Sequence, residues 1–401
     1  MADLAEGSAA PARQRNGSGP KVVNLVRQQD GISRAELARR MGLTTQAISK
    51  IVARLELDGL VTESRLAAGG SHPRTMLSLV SDARFAIGIH LDRHRGAAIL
   101  VNLLGETVAS TSLSYDTVPD PAATVELLSR AVKDMVGRCP APADRIAGCG
   151  LAMAGPVDHR TGVATAPNNF SGWKDVPIAE MLSSAVGLPV KLDKETNMAT
   201  MANQWMSRRA GWEIVIYVGT GIGGTLMLDG ELYRGRNSGA GELGHMVLDP
   251  SGPWCVCGRR GCVEVLASPA AVVHRYKQMP AESPTVQPDA AWNSSTIGNL
   301  KLIATAAGQG EIAAIDALKE SGRLLGIAAN SLASVLDVED IVLAGPLLGT
   351  LGEHYIGGVR IGLAETRWGT AVAPRLTVDS SLYSEMIAVG AAICTLQDVG
   401  T

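Results

Sequence analysis

The stretch Gly241-Glu242-Leu243-Gly244-His245, followed by Cys255-Val256-Cys257-Gly258-Arg259-Arg260-Gly261-Cys262-Val263-Glu264, decides the reading of this chain. His245, Cys255, Cys257 and Cys262 place three soft thiolates and one imidazole within eighteen positions. Four such donors close a tetrahedral shell, which suits a structural Zn²⁺ and leaves no open position for a catalytic one. Gly258 and Gly261 let the backbone turn tightly enough for three sulfurs to converge. The alternative is a group of buried free thiols beside a satisfied histidine, but clusters this dense outside disulfide scaffolds are usually metal sites. Glu242 and Glu264 flank the set. A metal that fixes the loop would also hold these carboxylates near each other and near the imidazole, a set that can accept hydrogen bonds from vicinal hydroxyls. Taken singly, each glutamate would read as a solvated surface group.

Outward from that stretch, the chain is 401 residues long, enough for two or three domains, with 46% hydrophobic and 19% charged residues. Aromatics make up only 3%, while 45 glycines imply tight turns and close backbone approaches. No apolar run reaches the ~20 residues of a membrane span. Residues 1–19 have no apolar core of a signal peptide and read as a disordered tail. Six cysteines, three of them clustered, fit a reducing cytoplasm. Charge is unevenly spread: residues 1–80 carry eleven Lys/Arg against seven Asp/Glu, and the remainder 25 against 32. A basic front end on an acidic body suggests a nucleic-acid module joined to something else.

The front end, residues 20–81, has its own pattern. Residues 21–29 form an apolar-periodic helix broken at Gly31-Ile32. Ser33 and Glu36 form a capping box for a second helix, and Gly42-Leu43 makes a tight turn. Thr44 caps a third helix over residues 45–57, with Ile48, Ile51, Val52 and Leu55 facing inward. Residues 60–62 and 75–80 are two strands around a basic tip, so the whole predicts a winged helix-turn-helix. The third helix presents Thr45, Gln46, Ser49 and Lys50 outward. Gln46 suits adenine and Lys50 suits guanine or phosphate. Arg54 and Arg74 suit the DNA backbone or minor groove. A three-helix protein-interaction module is the alternative.

In the body, residues 82–401, apolar strands at 86–91, 96–102, 146–153 and 215–218 alternate with amphipathic helix at 123–136, which by itself says only α/β. Gly219-Thr220-Gly221-Ile222-Gly223-Gly224 follows a strand; it could cradle a phosphate or simply turn a hairpin that needs positive φ.

Glu-x-x-His followed by Cys-x-Cys-Gly-x-x-Gly-Cys-x-Glu resembles the signature of the ROK family, bacterial sugar kinases and sugar-responsive repressors. The resemblance runs from about residue 20 to the end. It implies a ribonuclease-H-like, actin-type body of two lobes with a boundary near residue 195, an inserted zinc loop, and a C-terminal helix returning to the first lobe. By the same resemblance His245 and the three cysteines bind zinc, while Glu242, His245 and Glu264 contact sugar. Asn168, in Pro167-Asn168-Asn169-Phe170-Ser171-Gly172-Trp173, resembles the family's sugar-contacting asparagine, with Asn169 as the alternative. Ile341 to Pro346 resembles the segment near adenosine in the kinases.

Two stretches depart from the kinases. Where they carry Asp-x-Gly-Gly-Thr after the first strand, this chain has His90-Leu91-Asp92-Arg93-His94. Where they carry Asn-Asp-Ala-Asn, it has Lys194-Glu195-Thr196-Asn197, with Glu195 at the place of the catalytic base. One extra methylene displaces the carboxylate by more than ~1 Å, a shift that can cost about 10²-fold in rate. Lys194 is in reach of Glu195 for an ion pair, and both are expected sugar contacts. The expectation is a non-enzymatic regulator that does not bind ATP in the kinase manner and retains Glu195 as a vestige. It binds operator DNA as a homodimer or tetramer and takes xylose, glucose, another sugar or a sugar phosphate as effector. A bifunctional protein that still phosphorylates sugar is the alternative.

Overall fold

The computed structural model describes residues 17–29, 31–66, 74–93, 95–116, 120–167, 170–207, 211–279, 295–365, 374–379 and 384–401. Its front end is three helices, α1 (Ser18–Gln28), α2 (Arg34–Met41) and α3 (Thr45–Leu57), then a hairpin of β1 (Val61–Leu66) and β2 (Arg74–Leu79). Ser33 caps α2 by accepting the Glu36 amide, and Gly42 ends it with φ 62°. The expected capping box is only half formed. The Glu36 carboxylate turns to Arg39 and Arg40, whose hydrogen bonds hold its pKa down at about 2. Thr44 caps α3 through the Ala47 amide. β1 and β2 pair antiparallel from Val61↔Leu79 to Leu66↔Arg74, so the first wing strand is longer than expected and the second keeps its expected length, shifted by one residue. Helix α1 starts at Ser18, earlier than expected, with Pro20 in the first turn where no amide partner is needed. The rest of the expected tail, residues 1–16, lies outside the described residues.

The body repeats one topology twice. β3 (Phe85–Leu91), β4 (Arg95–Asn102) and β5 (Thr107–Ser114) form an antiparallel meander. After α4 (Pro121–Gly137), β6 (Ile146–Met153) pairs parallel to β3. A small hairpin, β7 (Val157–Asp158) and β8 (Val163–Ala164), precedes α5 (Ile178–Val186) and β9 (Val190–Lys194), giving the order β5-β4-β3-β6-β9. Helix α6 (Glu195–Ser207) then leads to the second sheet. There β10 (Glu213–Val218), β11 (Ile222–Leu228) and β12 (Glu231–Tyr233) repeat the meander. The helices α7 (Val263–Ala267), α8 (Pro269–Lys277), α9 (Thr296–Gly308) and α10 (Ile312–Leu336) come before β13 (Asp340–Ala344). After α11 (Leu348–Glu365), β14 (Arg375–Asp379) completes the order β12-β11-β10-β13-β14. This duplicated pattern is the actin-type α/β fold expected for the body.

The last helix, α12 (Ser384–Leu396), packs on β3, β4 and β6 and along α6. Alternation in β3 explains the fit. Phe85, Ile87, Ile89 and Leu91 belong to the core that includes Leu128 and Val132 of α4, whereas the opposite face carries the small Ala86 and Gly88 toward α12. A methyl on Gly88 would overlap the carbonyl oxygen of Ala388 and stand 2.6 Å from the Ala392 amide nitrogen. Gly88→Ala is therefore expected to cost about 1–3 kcal/mol or more in chemical denaturation, the range for overpacking. A change under about 0.5 kcal/mol would contradict this backbone contact. The winged helix shares one core with the first lobe: Val22, Val26, Leu55 and Leu77 are continuous with Ala97, Leu103, Trp205 and Ile393. Among the described residues no helix is long and apolar enough to cross a membrane.

Candidate functional site

A 3-10 turn, Leu243–His245, begins just after Glu242 and brings His245 to the cysteine loop. Bridges Val247↔Cys262 and Trp254↔Arg260 close that loop, and Gly258 (φ 83°) and Gly261 (φ 62°) make its corners. At Gly261 a side chain would also strike the carbonyl of Asp249. His245 Nδ1 lies 3.5 Å from Cys255 Sγ, Cys257 Sγ lies 3.6 Å from Cys262 Sγ, and all four ligand atoms fall within 4.8 Å of one another. A tetrahedral ion with ~2.3 Å bonds to sulfur and ~2.0 Å to nitrogen needs ligand atoms roughly 3.5–3.8 Å apart. The set fits a metal in its donor chemistry and spacing. Burial pushes the thiols of Cys255 and Cys262 up, the latter to about 12, while hydrogen bonds from Arg259 pull Cys257 down to about 6.

The carboxylates flank this loop, Glu242 just before the turn that carries His245 and Glu264 in the helix that follows Cys262. Glu264, in the first turn of α7, accepts a hydrogen bond from the Ile222 amide at 3.3 Å. Its Oε2 lies 3.4 Å from where a Gly244 side chain would begin, and 2.7 Å from the same point at Gly221. At Gly221 a side chain would crowd the Glu264 carboxylate, and φ is not the reason for the glycine: none of the glycines at 219, 221, 223 and 224 has positive φ. Residues 219–221 turn the hairpin between β10 and β11, closed by Gly219 N–H to the Gly221 carbonyl at 3.0 Å.

Lys194, at the end of β9, is buried and donates to Glu242 Oε1 at 2.9 Å and to the Ala240 carbonyl at 2.8 Å. Glu195, the first residue of α6, pairs with His90 at 3.2 Å. This corrects the expected Lys194–Glu195 ion pair. The two side chains diverge because one belongs to a strand end and the other to a helix start. Asp193 is also committed, accepting from Arg234 Nε at 2.6 Å and from Asn197. Asn168 and Asn169 lie outside the described residues, although Phe170 and Trp173 beyond them pack edge to face at 5.2 Å.

A family model for ROK matches residues 86–365, most of the chain, and one for the MarR family matches residues 22–70. The chain belongs to the ROK family. The xylose repressor of Bacillus subtilis strain 168 is 26% identical over 331 residues, spanning 82% of this chain and 81% of that protein. The glucokinase of Streptomyces coelicolor is 31% identical over 268 residues, 65% of this chain and 81% of that one. Among solved structures, a ROK family transcriptional regulator described as a homolog of E. coli MLC protein superposes with TM-score 0.76 at 21% identity, covering 96% of this chain and 97% of that one. A ROK family glucokinase from Streptomyces griseus, solved with glucose and AMPPNP, gives TM-score 0.62 at 26% identity, covering 77% and 98%. The first of these likenesses includes the winged helix as well as the ROK body.

In this ROK body the turn after β3 is occupied by its own side chain. Asp92 Oδ1 accepts the Arg93 amide at 2.7 Å, and Tyr115 donates to the Asp92 carbonyl at 2.6 Å. His94 lies outside the described residues. On the winged helix, Thr45, Gln46 and Lys50 are exposed and Ser49 is half-buried on α3. Arg54 is exposed but already donates to the Thr401 carbonyl at 2.8 Å, with Asp58 4.0 Å away, which qualifies its expected freedom for DNA. The side chain of Arg74 lies outside the described residues.

Two partnerships escaped sequence reasoning. His90 was noted only as part of a lost phosphate loop, yet it anchors Glu195. Arg27 was not singled out, but it stands four residues after Val23 on the apolar stripe of α1, and a cation on a buried stripe needs a partner. That partner is Trp205: Arg27 lies 3.8 Å over its ring and donates to its carbonyl at 2.7 Å.

Proposed function

We propose that this protein is a transcriptional repressor of sugar uptake or catabolism genes whose operator affinity is set by a sugar held in the ROK cleft. The observation that carries this reading is the shared core of the winged helix and first lobe, which makes a DNA-binding module and a sugar-kinase fold one mechanical unit. Zn²⁺ on His245, Cys255, Cys257 and Cys262 has a structural role. With Nδ1 of His245 on the metal, Nε2 is left for the cleft, and Glu242, Glu264, Glu195 and Asn168 supply the polar contacts to hydroxyls. Lys194 fixes Glu242 and leaves a third N–H for the ligand. D-xylose is the first effector to try, since relatives over most of the chain bear the name xylose repressor.

The repressor binds as a homodimer, so its operator has two half-sites related by a two-fold axis. Sugar binds one arrangement of the lobes better and thereby shifts the spacing of the two winged helices. ATP-dependent phosphorylation is not part of this reading. Asp92 occupies a backbone amide of the first phosphate turn and adds a negative charge there, and Glu195 is engaged by His90.

A selection of duplexes from a random pool tests the reading. The enriched duplexes carry inverted repeats and are released by D-xylose without ATP. An unenriched pool contradicts the DNA-binding half, and release only with ATP contradicts the non-enzymatic half. Glu242→Ala is expected to weaken sugar binding by roughly 10–100-fold while one zinc per chain remains, matching the ~1.5–3 kcal/mol of a hydrogen bond to a charged group. Calorimetry showing parental affinity would remove Glu242 from the site.

A further inference from the structure

Helix α6 touches the candidate effector groups at one end and the DNA-binding module at the other. At its start Glu195 pairs with His90 of β3, and Thr196 crowds Gly223 of the β10–β11 hairpin. Ten residues on, ~15 Å along a helix that rises 1.5 Å per residue, Trp205 is held by three contacts to two neighbours. Its indole nitrogen donates to the Leu104 carbonyl at 2.8 Å, its ring lies under the Arg27 guanidinium at 3.8 Å, and its carbonyl accepts from Arg27 Nη1 at 2.7 Å. Between the two ends Met198, Ala199, Met201 and Ala202 are buried, and α12 runs so close that a side chain on Gly390 would overlap the Met198 carbonyl.

We propose that α6 is the arm that carries the state of the sugar site to the winged helix, with the Arg27–Trp205 contact as its far joint. The inference rests on the proposed function for what the arm transmits. Its basis is mechanical. A hydrogen-bonded helix with a buried waist moves as a rigid body, and small-residue contacts such as that at Gly390 allow packed helices to shear. A ligand that draws Glu195 from His90 displaces the start of α6, and Trp205 must follow. Arg27 then takes α1 with it, because a cation stacked on indole and hydrogen-bonded to the same residue is held in position and direction at once. Arg27 and Trp205 are positioning residues: neither touches sugar or DNA.

The test compares amide hydrogen exchange in α1 of the full chain across four proteins: parent, Glu195→Ala, Arg27→Met, and the double variant. Methionine keeps length and apolar burial but removes the cation and its donors. Glu195→Ala is expected to change α1 exchange at least about fivefold in the parent background, the lower edge of ordinary allosteric coupling, and to change it less than about twofold in the Arg27→Met background. The same change in both backgrounds, or no change in the parent, overturns the proposal. Trp205→Phe, which keeps an aromatic ring, repeats the comparison in case Arg27→Met does not fold. D-xylose in place of Glu195→Ala tests the effector separately. Parent protein that ignores xylose while Glu195→Ala still shifts α1 counts against the effector and leaves the arm supported.

Discussion

Cys262→Ser is expected to empty the proposed zinc site and to silence the proposed sugar response together. Cys262 is fully buried, stands 3.6 Å from Cys257 and immediately precedes α7, which carries Glu264 in its first turn. Losing an outer-shell partner already costs ~10–100-fold in metal affinity, and losing a ligand costs more. Without the ion, burial keeps Cys255 a neutral thiol, and no bond to a shared metal holds its sulfur against the His245 ring. The bridge Val247↔Cys262, which ties the loop to the His245 segment, then loses its anchor. Zinc content is expected to fall from about one per chain to well below it, and the sugar no longer alters DNA affinity. The winged helix has its core on the other lobe, so operator binding itself survives. A variant that loses zinc and keeps a parental sugar response would show that the metal does not support Glu242, His245 and Glu264.

The legibility of the chain in its sequence follows the range of the interactions involved. The metal set was readable because its ligands are close in sequence and their chemistry is restrictive. α3 was readable because Thr44 and Gly42 punctuate it and its apolar positions repeat at helical spacing. The duplicated sheet was expected from the resemblance, since periodicity cannot distinguish parallel from antiparallel partners. Pairings across long separations were not readable. Lys194 meets Glu242 across 48 residues, His90 meets Glu195 across 105, and Arg27 meets Trp205 across 178. Adjacent residues such as Lys194 and Glu195 looked like partners, until the strand-to-helix junction between them sent their side chains apart. In the β10–β11 turn the glycines were expected to serve phosphate or positive φ, whereas Gly221 makes room for Glu264. A close approach of that kind has no local sequence signature.

Lys50→Glu is the second variant with a large expected effect. Lys50 is exposed on α3, on the face that also presents Gln46. A specific lysine or arginine contact in the major groove contributes ~1–3 kcal/mol, so removing it costs roughly 5–150-fold, and the reversed charge beside phosphate adds to that loss. Lys50→Ala separates the contributions. If Lys50 meets phosphate, the slope of log K against log salt falls by about 0.9 and all sequences weaken alike; if it reads a base, discrimination falls at that position. Sugar affinity is unchanged in either variant, because α3 does not reach the cleft residues. Parental operator affinity at matched salt for Lys50→Glu would place the DNA surface elsewhere on the module.

The most direct test of the central claim is fluorescence anisotropy of the full chain on the selected operator duplex, titrated with D-xylose, D-glucose and their phosphates at fixed salt without ATP. The account predicts that one of these ligands shifts the operator dissociation constant at least about fivefold, and that this shift is lost in Glu242→Ala. Specific binding that none of them alters, in protein carrying its zinc, would contradict a sugar-sensing body.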